Sequence, residues 1–149
     1  MFLESAEPSF DEQPLEELLA LFPEGRYRFE GTTTEGDRLK GTARLTHALP
    51  DAPVLVLPEE DDDAVDPANT VIQWEAVADP PGSSIVYYEV VVEREQGSLR
   101  VFVAQVGPAT TSVTVPPEFM DAGTAYKYEV LAVEKSGNRT ISEREFETE

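Results

Sequence analysis

The sequence predicts an all-β protein built on a seven-stranded antiparallel sandwich, and three observations predict it. Seven runs rich in Val, Ile, Thr, Tyr and Phe recur after residue 50, separated by the turn signals "DPPGSS", "REQGS", "VGPAT", "PPEFMDAGT" and "KSGN". No helical pattern intervenes, and short strands at such spacing are the mark of a sandwich. Period-two alternation is clear, with Tyr126, Tyr128, Val130 and Ala132 set against Lys127, Glu129 and Leu131. It recurs where Val71 and Gln73 oppose Ile72 and Trp74; each set then faces one side of a sheet.

Taken in order, residues 1–13 are acidic and aperiodic and read as a loosely ordered arm. "PLEELLALF" reads as a short helix with Pro14 at its first position and Glu16 and Glu17 at its positive end. Leu15, Leu18, Leu19 and Phe22 give it an apolar stripe, and Pro23 and Gly25 stop it. Residues 26–47 read as a β-hairpin: Tyr27 and Phe29 alternate with charges, Leu39, Ala43, Leu45 and Leu49 share one parity, and "TTTEGD" supplies the turn. A lone hairpin is marginal in water, so this one is expected to pack on the sandwich. Residues 14–49 then form an extension, and 50–149 hold the strands "PVLVL", "TVIQWEAV", "SIVYYEVVVERE", "LRVFVAQV", "TSVTV", "AYKYEVLAVEK" and "RTISEREFET".

Composition narrows the function. Thirty acids against 11 bases give a net charge of −19, which argues against a nucleic-acid partner and against anionic membranes, both of which need clustered Lys and Arg. No cysteine is present, so disulfides, thiol nucleophiles and zinc–thiolate sites are excluded. No apolar run approaches the length of a membrane helix, and "MFLESAEPSF" lacks the basic and apolar regions of a secretory signal.

Residues 50–149 resemble a fibronectin type III domain, an immunoglobulin-like sandwich. The residues that carry the resemblance run in order: Pro50 and Pro53, Trp74 on the second strand, then Ile85, Tyr88 and Val90 as I-x-x-Y-x-V. A corner "M-x-A-G-T-x-Y" follows from Met120 to Tyr126, then Ala132, Val133 and Gly137. The family's corner reads Leu-x-Pro-Gly-Thr-x-Tyr, so Met120 and Ala122 depart from it while keeping an apolar plug and a turn residue. The resemblance implies structural roles for Trp74, Tyr88, Met120 and Tyr126, the last as a tyrosine corner. The segment "FPEGRYRFEGTTTEGDRLKGTARLTHALPDAP" is similar to one that precedes such domains in bacterial envelope or secreted proteins of unknown function. That similarity implies a fragment of an exported, periplasmic or extracellular protein.

The acidic run Glu59, Glu60, Asp61, Asp62, Asp63 and Asp66 is the most conspicuous candidate site. Tested as an EF-hand loop from Asp61, it puts Val65 at the fifth position, Asp66 at the required Gly and Ile72 at the closing Glu, so that motif fails. It reads as a solvated connection between the first two strands, with weak calcium binding through Asp61, Asp63 and Asp66 as the alternative. His47 is the only histidine, so neither a His-based triad nor a multi-His metal site can form within the chain. It reads as a packed structural residue.

Nothing in the sequence marks two carboxylates as a catalytic pair across a cleft, and no cofactor is implied. Tyr87, Tyr88, Tyr126, Tyr128 and Trp74 could form a carbohydrate-binding stripe, but Trp74 and Tyr126 match core positions. "EKSGNRT" lacks Arg-Gly-Asp, and its Asn138-Arg139-Thr140 sequon reads as a turn. The expectation is a non-catalytic interaction or spacer module with a protein partner. A calcium-dependent module and a carbohydrate-binding accessory domain are its rivals.

Overall fold

Pro14 and the glutamates after it start the first element of the computed structural model, which describes residues 14–97 and 99–149; the arm expected at 1–13 lies outside the described residues. The chain divides into two units, Met1–His47 and Ala48–Glu149. In the first, helix α1 spans Leu15–Leu21, with Pro14 in the capping position one residue before the helix. The Pro14 carbonyl accepts from the N–H of Glu17 and Leu18, which a proline can do because it lacks only the donor. Strands β1 (Gly25–Thr32) and β2 (Arg38–Leu45) pair antiparallel from Gly25↔Leu45 to Thr32↔Arg38. Gly36 closes the turn at φ 94°, a backbone state that glycine adopts without steric cost. His47 donates its N–H to Glu24 Oε1 at 2.6 Å, and its Nε2 lies 2.8 Å from the Phe22 carbonyl. Since a carbonyl only accepts, Nε2 carries the proton.

The second unit is a two-sheet sandwich. Its strands are β3 (Leu55–Leu57), β4 (Asp62–Val65), β5 (Val71–Trp74), β6 (Ile85–Arg94), β7 (Leu99–Val106), β8 (Ser112–Thr114), β9 (Ala125–Glu134) and β10 (Arg139–Thr148). One sheet runs β4-β10-β9-β6-β7 and the other β3-β5-β8. Among the described residues this unit therefore has eight strands where the sequence predicts seven. The additional one is β4, drawn from the acidic run. Asp is a poor strand former, but Val65 packs against the core, and its carbonyl accepts from the Glu149 N–H at 3.1 Å. Tertiary pairing, parallel to β10 at Phe146↔Asp62 and Thr148↔Val65, thus overrides local preference. The chain leaves β3 in the small sheet, passes the cis Leu57–Pro58 bond and enters the large sheet as β4.

Between the sheets lies a core of Leu55, Ile72, Trp74, Ile85, Tyr88, Val90, Val92, Val115, Met120, Tyr126, Tyr128, Val130, Ala132 and Phe146. Aromatic contacts knit it: Trp74 meets Tyr88 edge-on at 5.3 Å, and Phe146 stacks on Tyr126 at 5.6 Å. Such pairs add about 0.5–1.5 kcal/mol each beyond burial. Tyr126 Oη accepts the Asp121 N–H at 2.8 Å and fixes the corner before β9. Tyr88 Oη accepts the Val77 N–H, and Tyr128 donates to the Pro58 carbonyl, each at 2.8 Å.

Candidate functional site

Inward-facing residues of the large sheet define its other face by alternation. With Tyr88, Val90 and Val92 in the core, Tyr87, Glu89, Val91 and Glu93 point away from it on β6. On β9 the same parity gives Lys127, Glu129, Leu131 and Val133, and on β10 Arg139, Ile141, Glu143, Glu145 and Glu147. An ordinary solvated face would be polar throughout. This one carries a second buried cluster of Val91, Leu131 and Val133, with Tyr87 packed against it.

Register extends that cluster into a band. Val91 pairs with Val103 and Leu131 with Ile141, while Val103 and Ile141 are 52% and 45% exposed. Val91 and Leu131 are diagonal neighbours, each directly opposite a glutamate, Glu129 and Glu89 respectively, so Val103–Val91–Leu131–Ile141 steps obliquely across β7, β6, β9 and β10.

Carboxylates surround the band. Glu129 stands directly opposite Glu143, a like-charge pair that a sheet tolerates poorly. Lys127 Nζ relieves it from 3.1 Å and 3.3 Å respectively, and Lys127 is held protonated above its ordinary range, first by its hydrogen bond to Glu129. Glu93 is paired with Arg100 at 2.8 Å, and Glu89 accepts from Gln105 at 2.7 Å. Further along, repulsion from Glu95 pushes the Glu145 carboxyl above its ordinary range, with smaller pushes from desolvation, Asp61 and Glu143. The face is crowded with negative charge around an apolar centre.

The predicted site residues lie elsewhere. Asp66 is turned to its own loop: its carboxylate accepts the Ala68 N–H at 2.8 Å and the Asn69 amide at 2.6 Å, and these bonds hold its pKa down, Asn69 foremost. Asp61 sits in the left-handed region at φ 55°, and Asp63 lies within β4. Among the described residues no three His, Asp or Glu side chains are grouped as a metal site requires. The run is also less loop-like than its composition suggests, since Glu60 pairs with Arg144 Nε at 3.2 Å and Asp62 caps the Ala64 N–H. Trp74, Tyr88, Met120, Tyr126 and Tyr128 are buried and build the core, while Tyr87, partly buried, packs on the outer face against Val91, Leu131 and Val133.

Sequence reasoning missed two things. One is the apolar band, although Val90-Val91-Val92 and Val130-Leu131-Ala132-Val133 break the alternation and signal a face that is not wholly polar. The other is Glu134, 1% exposed. Its carboxylate accepts the hydroxyls of Ser83 and Ser136 and the N–H groups of Ser136 and Asn138. Burial pushes its pKa up, but these bonds outweigh it and hold the carboxyl below its usual range.

Comparison with known proteins finds no matching family model and no matching curated protein. Solved structures do match. The third fibronectin III domain of human KIAA0343 protein aligns at 18% identity over 69% of this chain and 86% of that one, with a TM-score of 0.51. The fn3 domain of human collagen alpha-1(XX) chain aligns at 21% identity over 66% and 82%, with a TM-score of 0.47. The first of these shows that the sandwich has the fibronectin type III fold. Among the described residues no helix is long and apolar enough to cross a membrane.

Proposed function

We propose that the chain is a non-catalytic interaction module that docks a basic protein partner on the outer face of its large sheet. The observation that carries this reading is the band Val103–Val91–Leu131–Ile141 set among Glu89, Glu93, Glu129, Glu143 and Glu145. Apolar area at the centre of an interface supplies affinity, and charge around it selects the partner's sign and speeds encounter. A partner cation over Glu129 and Glu143 completes the neutralisation that Lys127 begins. The exported setting implied by the N-terminal resemblance belongs to the same proposal.

The test uses a synthetic peptide of alternating Lys and Leu as probe and amide chemical shifts of the full chain as readout. Shifts are expected at Val91, Glu129, Leu131 and Ile141, with affinity falling about ten-fold between low and high salt as the charges are screened. Glu129→Lys with Glu143→Lys abolishes the response. Shifts confined to the small sheet or to residues 59–66, or affinity indifferent to salt, overturn the reading.

A further inference from the structure

The two-stranded sheet carries the opposite charge to the sandwich. Five of the chain's 11 bases, Arg26, Arg28, Arg38, Lys40 and Arg44, lie between residues 25 and 45. The register Arg26↔Arg44, Arg28↔Thr42, Glu30↔Lys40 and Thr32↔Arg38 puts all five on one face, and all five are exposed. Glu30 is the acid among them, 3.9 Å from Lys40. Among the described residues Arg26, Arg28 and Arg44 form no ion pair, and Arg26 faces Arg44 directly across the strands. Like charges in that position destabilise a sheet unless an anion serves both. Residues 48–149, by contrast, hold six bases against 20 acids.

We propose that the basic hairpin face of one molecule docks on the acidic outer sheet face of a second copy of this chain. The inference rests on the docking reading above and names its occupant. Charge complementarity favours a second copy, and so does spacing. Both surfaces are antiparallel β, so cations and carboxylates repeat at the same intervals, about 4.8 Å across strands and about 6.8 Å along them. A guanidinium row can then meet a carboxylate row pair by pair, in the two-pronged geometry that arginine favours. Because hairpin and sheet are different surfaces, the contact is heterologous, and it either closes in reciprocal pairs or extends into chains.

Sedimentation velocity of the full chain tests this. At low salt the weight-average mass is expected to rise above the monomer value between about 10 and about 500 µM, the range of weak specific contacts. It returns to the monomer at about 0.5 M salt, where screening is nearly complete. Arg26→Glu, Arg28→Glu and Arg44→Glu together abolish association, and so does the pair Glu129→Lys and Glu143→Lys. Mixing the two variants restores it, because each then offers what the other lacks; unchanged far-ultraviolet circular dichroism shows that both remain folded. Association that survives the arginine reversal, or two variants that stay monomeric when mixed, overturns the proposal. If the wild-type chain stays monomeric while the Lys-Leu probe still binds, this inference falls and the docking face stands; if the probe also fails, both fall.

Discussion

Glu134 holds the turn between β9 and β10 through three hydrogen bonds and ties it to Ser83 ahead of β6 through a fourth, and does so as a charged group at 1% exposure. Bonds to an ion are stronger than neutral ones, and a buried donor left unmet costs the full desolvation of that donor. Glu134→Gln places an NH2 group among donors, so a loss of about 2–3 kcal/mol at neutral pH is expected in urea denaturation. At the same scale, the Tyr128 hydroxyl is pushed up to about 12 by burial and donates to the Pro58 carbonyl. A raised pKa means that the folded state favours the protonated phenol. That contribution is complete below pH 10 and is lost as pH rises through the folded value. Tyr128→Phe is expected to cost about 1–2 kcal/mol at pH 7 for the abandoned carbonyl, and its thermal midpoint should fall less steeply than that of the wild-type chain between pH 10 and 12.

The elements differ in how plainly the sequence announces them. Strands β6 and β9 are legible because alternation and β-branched residues agree with their burial, and the fibronectin-like fold follows from them with Trp74 and Tyr126. Strand β4 was not legible, because its support is remote: the backbone of β10, and a core that Val65 alone reaches. The outer-face band was half legible, as breaks in alternation whose meaning required the cross-strand register to bring Val103 and Ile141 beside them. Remote support makes β4 separable from the rest. Val65→Asp removes its single apolar anchor, and hydrogen exchange at the Glu149 amide, which donates to the Val65 carbonyl, is expected to accelerate about ten-fold or more as that pairing opens locally. Amides shared by β6 and β9 should keep their protection; if they lose it in parallel, β4 is part of the global folding unit.

At the scale of the molecule, a net charge of −19 opposes compaction through self-repulsion, and three carboxylates, Glu145 against Glu134 and Asp66, respond to acid in opposite ways. Glu145, crowded first by Glu95 and then by its other neighbours, has its pKa raised in the folded state. It binds a proton more readily folded than unfolded, so the stability it confers is present below its unfolded pKa and lost as pH rises through the folded value. Glu134 and Asp66 are lowered. Their contribution is complete above their unfolded values, near 4.5 and 3.8, and is lost as pH falls through the folded ones. Stability should therefore rise as pH drops through the folded value of Glu145 towards 4.5, then fall as Glu134 and Asp66 take up protons below 4.5 and 3.8, with its maximum on the acid side of neutrality. Calorimetric midpoints across that range test the division. Glu145→Gln should flatten the rising limb and leave the fall, and Glu134→Gln should do the reverse. Added salt at pH 7 should raise the wild-type midpoint more than that of Glu145→Gln, because screening relieves the same repulsion that the substitution removes. A midpoint that declines steadily from pH 7 downwards would show that the hydrogen-bonded carboxylates outweigh the crowded ones throughout.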